Sequence, residues 1–147
     1  MTEARILYVD DEPDIRDIAM MALELDPEIE VRSCSSGMEA LAEAAVWKPD
    51  LILLDVMMPE MDGPETLRRL RENEKTEGIP VVFITARTQV AEVQRFLGLG
   101  ASGVIAKPFD PMELAADARK YLRTGAEQML EKEQAPAPVI SAYRRKS

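Results

Sequence analysis

The chain has 147 residues, long enough for one domain with a full hydrophobic core but short for two. Apolar residues make up 46% and charged residues 31%, which argues against a wholly disordered chain, and we expect neither a membrane span nor a secretory signal. The net charge of -9 argues against direct nucleic-acid binding, and the absence of histidine excludes Ser-His-Asp and Cys-His catalysis within one chain.

Short apolar runs alternate with helical patterns along most of the chain. In chain order, "RILYVD" predicts a strand and "DEPDIRDIAMMALELD" a helix, and this pair of elements then recurs four times. Asp62 is a good N-cap and Pro64 suits the first turn of the third helix. The predicted strands cover 5–10, 28–36, 49–56, 79–86 and 103–109, and the predicted helices cover 11–26, 37–49, 62–74, 88–100 and 110–125.

This alternation predicts an α/β fold, a doubly wound five-stranded parallel sheet with five helices on its two faces. By analogy with known doubly wound proteins we expect the strand order 2-1-3-4-5. After about residue 124 the pattern weakens. We therefore predict one domain over 1–124, followed over 125–147 by a helical extension, a disordered tail or both.

Polar residues stand where four of the predicted strands end. Asp10 and Asp11 end the first strand, Asp55 the third, Thr85 the fourth and Lys107 the fifth. In an open parallel sheet, ligands bind at the carboxyl ends of the strands, in the crevice where the strand order reverses. We therefore expect these five side chains to share one crevice.

Their chemistry indicates phosphoryl transfer. Crowded carboxylates repel one another, and a hard divalent cation such as Mg²⁺ relieves that repulsion through oxygen ligands. The Lys107 ammonium suits a phosphoryl group, and the Thr85 hydroxyl can donate a hydrogen bond to one of its oxygens. In such a site Asp55 would be the nucleophile that forms an aspartyl phosphate.

Each of these residues, taken alone, also has an ordinary structural explanation. The acids of "DDEPD" could complement a helix dipole, Asp55 could cap the turn that follows, and Lys107 could be a solvated loop charge. Four separate strands would then have to end in complementary groups by accident. The joint occurrence favours a functional site.

The motifs "DD", "DVMMPEMDG", "TA" and "KPF" occur in an order and spacing that resemble the receiver domain of two-component response regulators, over roughly residues 4–123. The resemblance implies a flavodoxin-like fold in which a histidine kinase or phosphotransfer protein phosphorylates Asp55. Because this chain has no histidine, the phosphoryl donor would be another protein.

The resemblance also implies roles for the remaining site residues. Asp11 and Asp55 would bind Mg²⁺, Asp10 would assist through water, and the Met57 backbone carbonyl would be a further ligand. Thr85 and Lys107 would contact the phosphoryl group, and the peptide bond between Lys107 and Pro108 is expected to be cis.

One residue departs from the family pattern. Three positions before the lysine the family usually carries Phe or Tyr, whose ring turns inward on activation, and here the residue is Val104. A β-branched aliphatic side chain cannot make that movement. Family analogy further suggests that Met57 and Arg87 tune dephosphorylation, that Phe109 is a packing residue, and that Glu12, Asp14 and Asp17 either contribute to kinase docking or form a solvated helix face.

The leading hypothesis is a stand-alone phosphorylation switch that acts on an unidentified protein through direct contacts. A phosphorylation-independent binding module is the alternative, motivated by Val104. A phosphatase is disfavoured because such enzymes need a second Asp where this chain has Met57, so catalysis would be limited to self-phosphorylation and autodephosphorylation. We expect a cytoplasmic monomer, consistent with the single Cys34, and leave phosphorylation-linked dimerisation open.

Overall fold

The structure is a computed structural model that describes residues 4–122 and 139–140. Its strands are β1 (Ala4–Val9), β2 (Ile29–Cys34), β3 (Leu51–Asp55), β4 (Val81–Thr85), β5 (Gly103–Ala106) and β6 (Val139–Ile140). Its helices are α1 (Pro13–Glu24), α2 (Gly37–Trp47), α3 (Gly63–Arg71), α4 (Val90–Gly98) and α5 (Leu114–Arg119).

All strand pairs are parallel, and the sheet order is β2-β1-β3-β4-β5-β6. The predicted five-stranded order 2-1-3-4-5 is therefore confirmed. The sheet continues by one short strand, β6, which pairs with the outer edge of β5 and which the sequence pattern did not predict. An edge strand has unpaired backbone N–H and C=O groups with which any extended segment can pair. The hydrophobic periodicity of the sequence does not show which segment pairs with them.

The sheet separates two apolar layers. Helices α1 and α5 cover one face over side chains such as Ile6, Leu53 and Ile84, and helices α2, α3 and α4 cover the other over side chains such as Leu7, Leu54 and Phe83. Strands β3 and β4 are buried at every position, which explains their uninterrupted apolar sequences.

Helix boundaries follow local capping chemistry. Asp62 caps α3 by accepting a hydrogen bond from the Glu65 backbone N–H at 2.9 Å, as predicted. Helix α5 begins later than predicted, because Asp110 accepts the Met112 backbone N–H at 2.9 Å and holds residues 110–113 in a turn.

Apart from residues 139–140, the predicted extension over 125–147 lies outside the described residues, and the domain boundary at 124 stays a prediction.

Within the described part of the chain, none of the helices has the length and apolar character that a membrane span requires.

Candidate functional site

The parallel sheet brings the polar strand ends to one edge of the molecule. Asp10 directly follows β1, Asp55 is the last residue of β3, Thr85 is the last residue of β4, and Lys107 directly follows β5. Their backbones are held by hydrogen bonds across the sheet, including 3.1 Å from the Asp10 N–H to Cys34 O and 2.9 Å from the Lys107 N–H to Thr85 O. The strand ends that carry Asp10, Asp55, Thr85 and Lys107 therefore lie at the same edge of the sheet.

Asp10 is fully buried and held by three donors. Its Oδ1 accepts the Glu12 backbone N–H at 3.0 Å. Its Oδ2 accepts the Tyr8 hydroxyl at 3.2 Å and the Lys107 ammonium at 3.0 Å. Burying a carboxylate without hydrogen-bond donors is costly, and together these three donors define the orientation of the Asp10 side chain.

Asp55 is 5% exposed, and its Oδ1 lies 3.3 Å from the Lys107 Nζ. Burial raises the pKa of Asp55, the negative charge of Asp10 raises it further, and Lys107 opposes both effects. The resulting pKa is about 6. Asp55 is thus mostly ionised at neutral pH, although its ionised form is held in an unfavourable environment.

Lys107 bridges the acidic residues. Its Nζ lies 3.0 Å from Asp10, 3.3 Å from Asp55 and 3.3 Å from Glu12. Burial by itself would lower the pKa of Lys107, but its hydrogen bonds and attraction to Asp10 and Asp55 outweigh burial and raise that pKa. The Lys107–Pro108 peptide bond is cis, as expected. The ammonium is therefore a permanent positive charge at the acidic cluster.

The acidic cluster has a donor set that fits a hard divalent cation. Asp10, Asp11 and Asp55 each offer a carboxylate oxygen, and these oxygens lie within 4.8 Å of one another. Two of the three residues are buried, so an external cation would relieve a repulsion that water alone screens poorly. Met57 lies in the loop after Asp55 with its side chain largely exposed.

Thr85 is buried at the end of β4, and its Oγ1 accepts the Arg87 backbone N–H at 3.0 Å. A hydroxyl that accepts one bond still carries a hydrogen to donate. The Lys107 backbone N–H donates to the Thr85 carbonyl, so the ends of β4 and β5 are directly paired. The Thr85 hydroxyl and the Lys107 ammonium therefore belong to neighbouring strand ends. Arg87 is exposed beside them.

Val104 is fully buried, beside Phe83 in the strand register. Phe83 in turn contacts Phe96 of α4, with ring centroids 5.0 Å apart and planes at 58°. The position where the family usually has a mobile aromatic ring is thus part of the core packed under α4.

Two contacts at the site were not predicted from the sequence. Tyr8 was interpreted only as a strand residue, yet its hydroxyl binds Asp10. Glu12, a candidate for kinase docking, has its carboxylate 3.3 Å from the Lys107 ammonium, and it is exposed, as are Asp14 and Asp17. The signal for Tyr8 was available, because residues two apart in an extended chain point to the same side of the sheet.

Comparison with known proteins agrees with this geometry. The family model described as "Response regulator receiver domain" matches residues 6–119. The chain belongs to the response regulator receiver domain family. This receiver domain is 39% identical over 119 residues to the DNA-binding dual master transcriptional regulator RpaA of Synechocystis sp., covering 81% of this chain and 49% of that protein.

The phosphate regulon transcriptional regulatory protein PhoB of Pseudomonas aeruginosa is 40% identical over 123 residues, covering 84% of this chain and 53% of that protein. The chain thus spans about half the length of these curated relatives. Among solved structures, the chemotaxis response regulator CheY4 of Vibrio cholerae superposes with a TM-score of 0.76 at 34% identity, covering 82% of this chain and 100% of that one. The predicted flavodoxin-like receiver fold is confirmed.

Proposed function

We propose that this receiver domain is a phosphorylation-dependent signalling switch whose phosphoryl acceptor is Asp55. The observation that carries the proposal is the position of Asp55, buried at a strand end between two further carboxylates and the Lys107 ammonium. A site that binds a cation and a phosphoryl group accounts for three acidic groups and an ammonium at one edge of the sheet.

Asp11 and Asp55 would hold Mg²⁺ directly, with Asp10 acting through water and the Met57 carbonyl as a further ligand. When bound, the cation would neutralise the carboxylates and the developing charge on the phosphoryl oxygens. The fit rests on the all-oxygen donor set of the acidic cluster.

The protein groups would carry the transfer itself. A carboxylate oxygen of Asp55 attacks the phosphorus of a phosphohistidine on a partner kinase or phosphotransfer protein. The P–N bond breaks, its electron pair remains on the imidazole, and an acyl phosphate forms on Asp55. Lys107 and the Thr85 hydroxyl would contact the phosphoryl oxygens. Lys107 would then exchange its hydrogen bond with the Asp55 carboxylate for one with the phosphoryl group, and this change would affect the end of β5.

We further propose that the domain acts through contacts with another protein rather than with DNA, and that it works in the cytoplasm. The net charge of -9 supports an indirect effect on any nucleic acid. RpaA is described as a DNA-binding regulator, and about half of that protein lies outside the match.

Intact mass spectrometry after incubation with acetyl phosphate and Mg²⁺ tests the acceptor. We expect one phosphoryl adduct on the wild type and on Asp62→Asn, a matched change at an exposed helix cap, and none on Asp55→Asn. Absence of the adduct from the wild type, or its persistence in Asp55→Asn, would refute the proposal.

A second candidate function is a binding module whose surface does not respond to phosphorylation. The burial of Val104 within the core under α4 favours it, because residue 104 itself has no aromatic ring that could move on phosphorylation. Backbone NMR with and without beryllofluoride separates the two. Shifts that extend through α4 and β5 support the switch, and shifts confined to the loops around Asp55 support the module.

A further inference from the structure

Tyr8 lies on β1 directly beneath the acidic cluster and is fully buried. Its hydroxyl donates to Asp10 Oδ2 at 3.2 Å. A phenol in the core usually finds a hydrogen-bond partner, and a backbone carbonyl would have sufficed. Here the partner is a buried carboxylate of the candidate magnesium site.

The Tyr8 hydroxyl differs from the second donor to the same oxygen. Lys107 carries a positive charge and is shared among Asp10, Asp55 and Glu12. A positive charge repels an incoming cation, and an ammonium that turns toward a phosphoryl group gives up its bonds to the carboxylates. The neutral hydroxyl neither repels a cation nor has another ionic partner among the described contacts of Tyr8.

The Tyr8 ring also reaches the other side of the site. It meets the Phe109 ring edge-on, with centroids 6.5 Å apart and planes at 72°. Phe109 follows Lys107 by two residues across the cis peptide bond. One side chain therefore contacts both the Asp10 carboxylate and the segment that carries the lysine.

We propose that Tyr8 is a positioning residue of the magnesium site, whose hydroxyl holds the Asp10 carboxylate in the orientation that binds a divalent cation through water, while Phe109 keeps the phenol ring in place. This inference rests on the proposed function, since it assumes that the acidic cluster binds Mg²⁺. Tyr8 lies outside the motifs "DD", "DVMMPEMDG", "TA" and "KPF" that the chain shares with the family.

Isothermal titration calorimetry with Mg²⁺ alone tests the inference on the wild type, Tyr8→Phe and Tyr121→Phe. Tyr121 is the matched control, because it is a buried tyrosine in the same apolar layer but lies beyond the end of α5. When a group that binds a metal loses a hydrogen-bond partner, the affinity for the metal typically falls about 10-fold or more. We expect Tyr8→Phe to raise the Kd for Mg²⁺ about tenfold and Tyr121→Phe to leave it unchanged.

Thermal unfolding in EDTA and in saturating Mg²⁺ separates positioning from simple packing. If Tyr8 only stabilises the fold, Tyr8→Phe lowers both melting temperatures equally and leaves the Kd unchanged, and the inference is wrong. If the wild type itself binds no Mg²⁺, the proposed function fails instead.

A measurement on the unmutated side chains covers the case in which Tyr8→Phe does not fold. In the full chain labelled with 3-fluorotyrosine, the ¹⁹F resonance of Tyr8 should move on addition of Mg²⁺ while that of Tyr121 stays in place. A Tyr8 resonance that does not respond to Mg²⁺ binding would overturn the inference.

Discussion

Replacing Asp55 with Asn should stabilise the metal-free protein, because the carboxylate is ionised in an unfavourable place. The pKa of Asp55 is raised from its ordinary 3.8 to about 6 by burial first and by Asp10 second. Since each pH unit between the two values corresponds to about 1.4 kcal/mol, ionising Asp55 costs the folded state about 3 kcal/mol relative to the unfolded chain.

Asparagine resembles the neutral carboxyl group and removes this cost, and the figure already includes the favourable interaction with Lys107 at 3.3 Å, because Lys107 lowers the pKa from which it is calculated. The gain is about 3 kcal/mol, or about 6–12 °C in melting temperature for a chain of this size. An acid whose pKa is raised on folding destabilises the protein only when it is ionised. The gain should therefore be full above about pH 6 and should disappear as the pH falls toward 4.

Urea unfolding followed by circular dichroism, in EDTA at about pH 7.5 and about pH 5, measures both the gain and its pH dependence. Asp62→Asn is the control, because Asp and Asn cap helices almost equally well, and its stability should match the wild type at both values. Saturating Mg²⁺ should reduce the advantage of Asp55→Asn by stabilising the wild type more. A destabilised Asp55→Asn, or a gain independent of pH, would refute the account of the site.

Two further predictions concern the scaffold around the site. A Cβ on Gly63 would lie 2.6 Å from Asp55 O and 2.9 Å from Val56 Cα. Gly63→Ala should therefore lower the free energy of unfolding by about 1–3 kcal/mol. Gly78→Ala is the control, because a Cβ there meets open space and should leave the free energy of unfolding unchanged. Equal urea midpoints for the two variants would contradict the close approach of α3 to β3. The hydrogen bond from Arg119 lowers the pKa of Asp26. In Arg119→Gln, ¹³C NMR should therefore show the Asp26 carboxyl titrating nearer its ordinary pKa. In the wild type, the stabilisation by this pair should be lost as the pH falls through the pKa of Asp26. An Asp26 pKa unchanged in Arg119→Gln would show that the ion pair is not the cause.

Much of the candidate site was predictable because its residues occupy equivalent places in a repeated local pattern. Apolar runs identify the buried strands, and a carboxylate, hydroxyl or ammonium at the end of such a run stands out against them. The rule that ligands meet parallel sheets at their carboxyl ends then groups Asp55, Thr85 and Lys107 without any coordinates.

A helix cap could also be predicted from the sequence where it depends only on residues close by in the chain. The cap at Asp62 depends on a residue three positions away. The late start of α5 was missed, because the Asp110 turn competes with the helical pattern and periodicity alone does not weigh one against the other.

The sequence by itself determined the order of elements, the buried strands and most of the polar groups at the ends of those strands, since these depend on periodicity and on short-range chemistry. Only the tertiary structure decided which groups touch: that Lys107 bridges three carboxylates, that Tyr8 donates to Asp10, that Val104 is enclosed beneath α4, and that β6 joins β5. Those contacts join residues from different elements, or depend on how one side chain turns toward another. Their distances, and the pKa of Asp55 that follows from them, exist only once the sheet has formed.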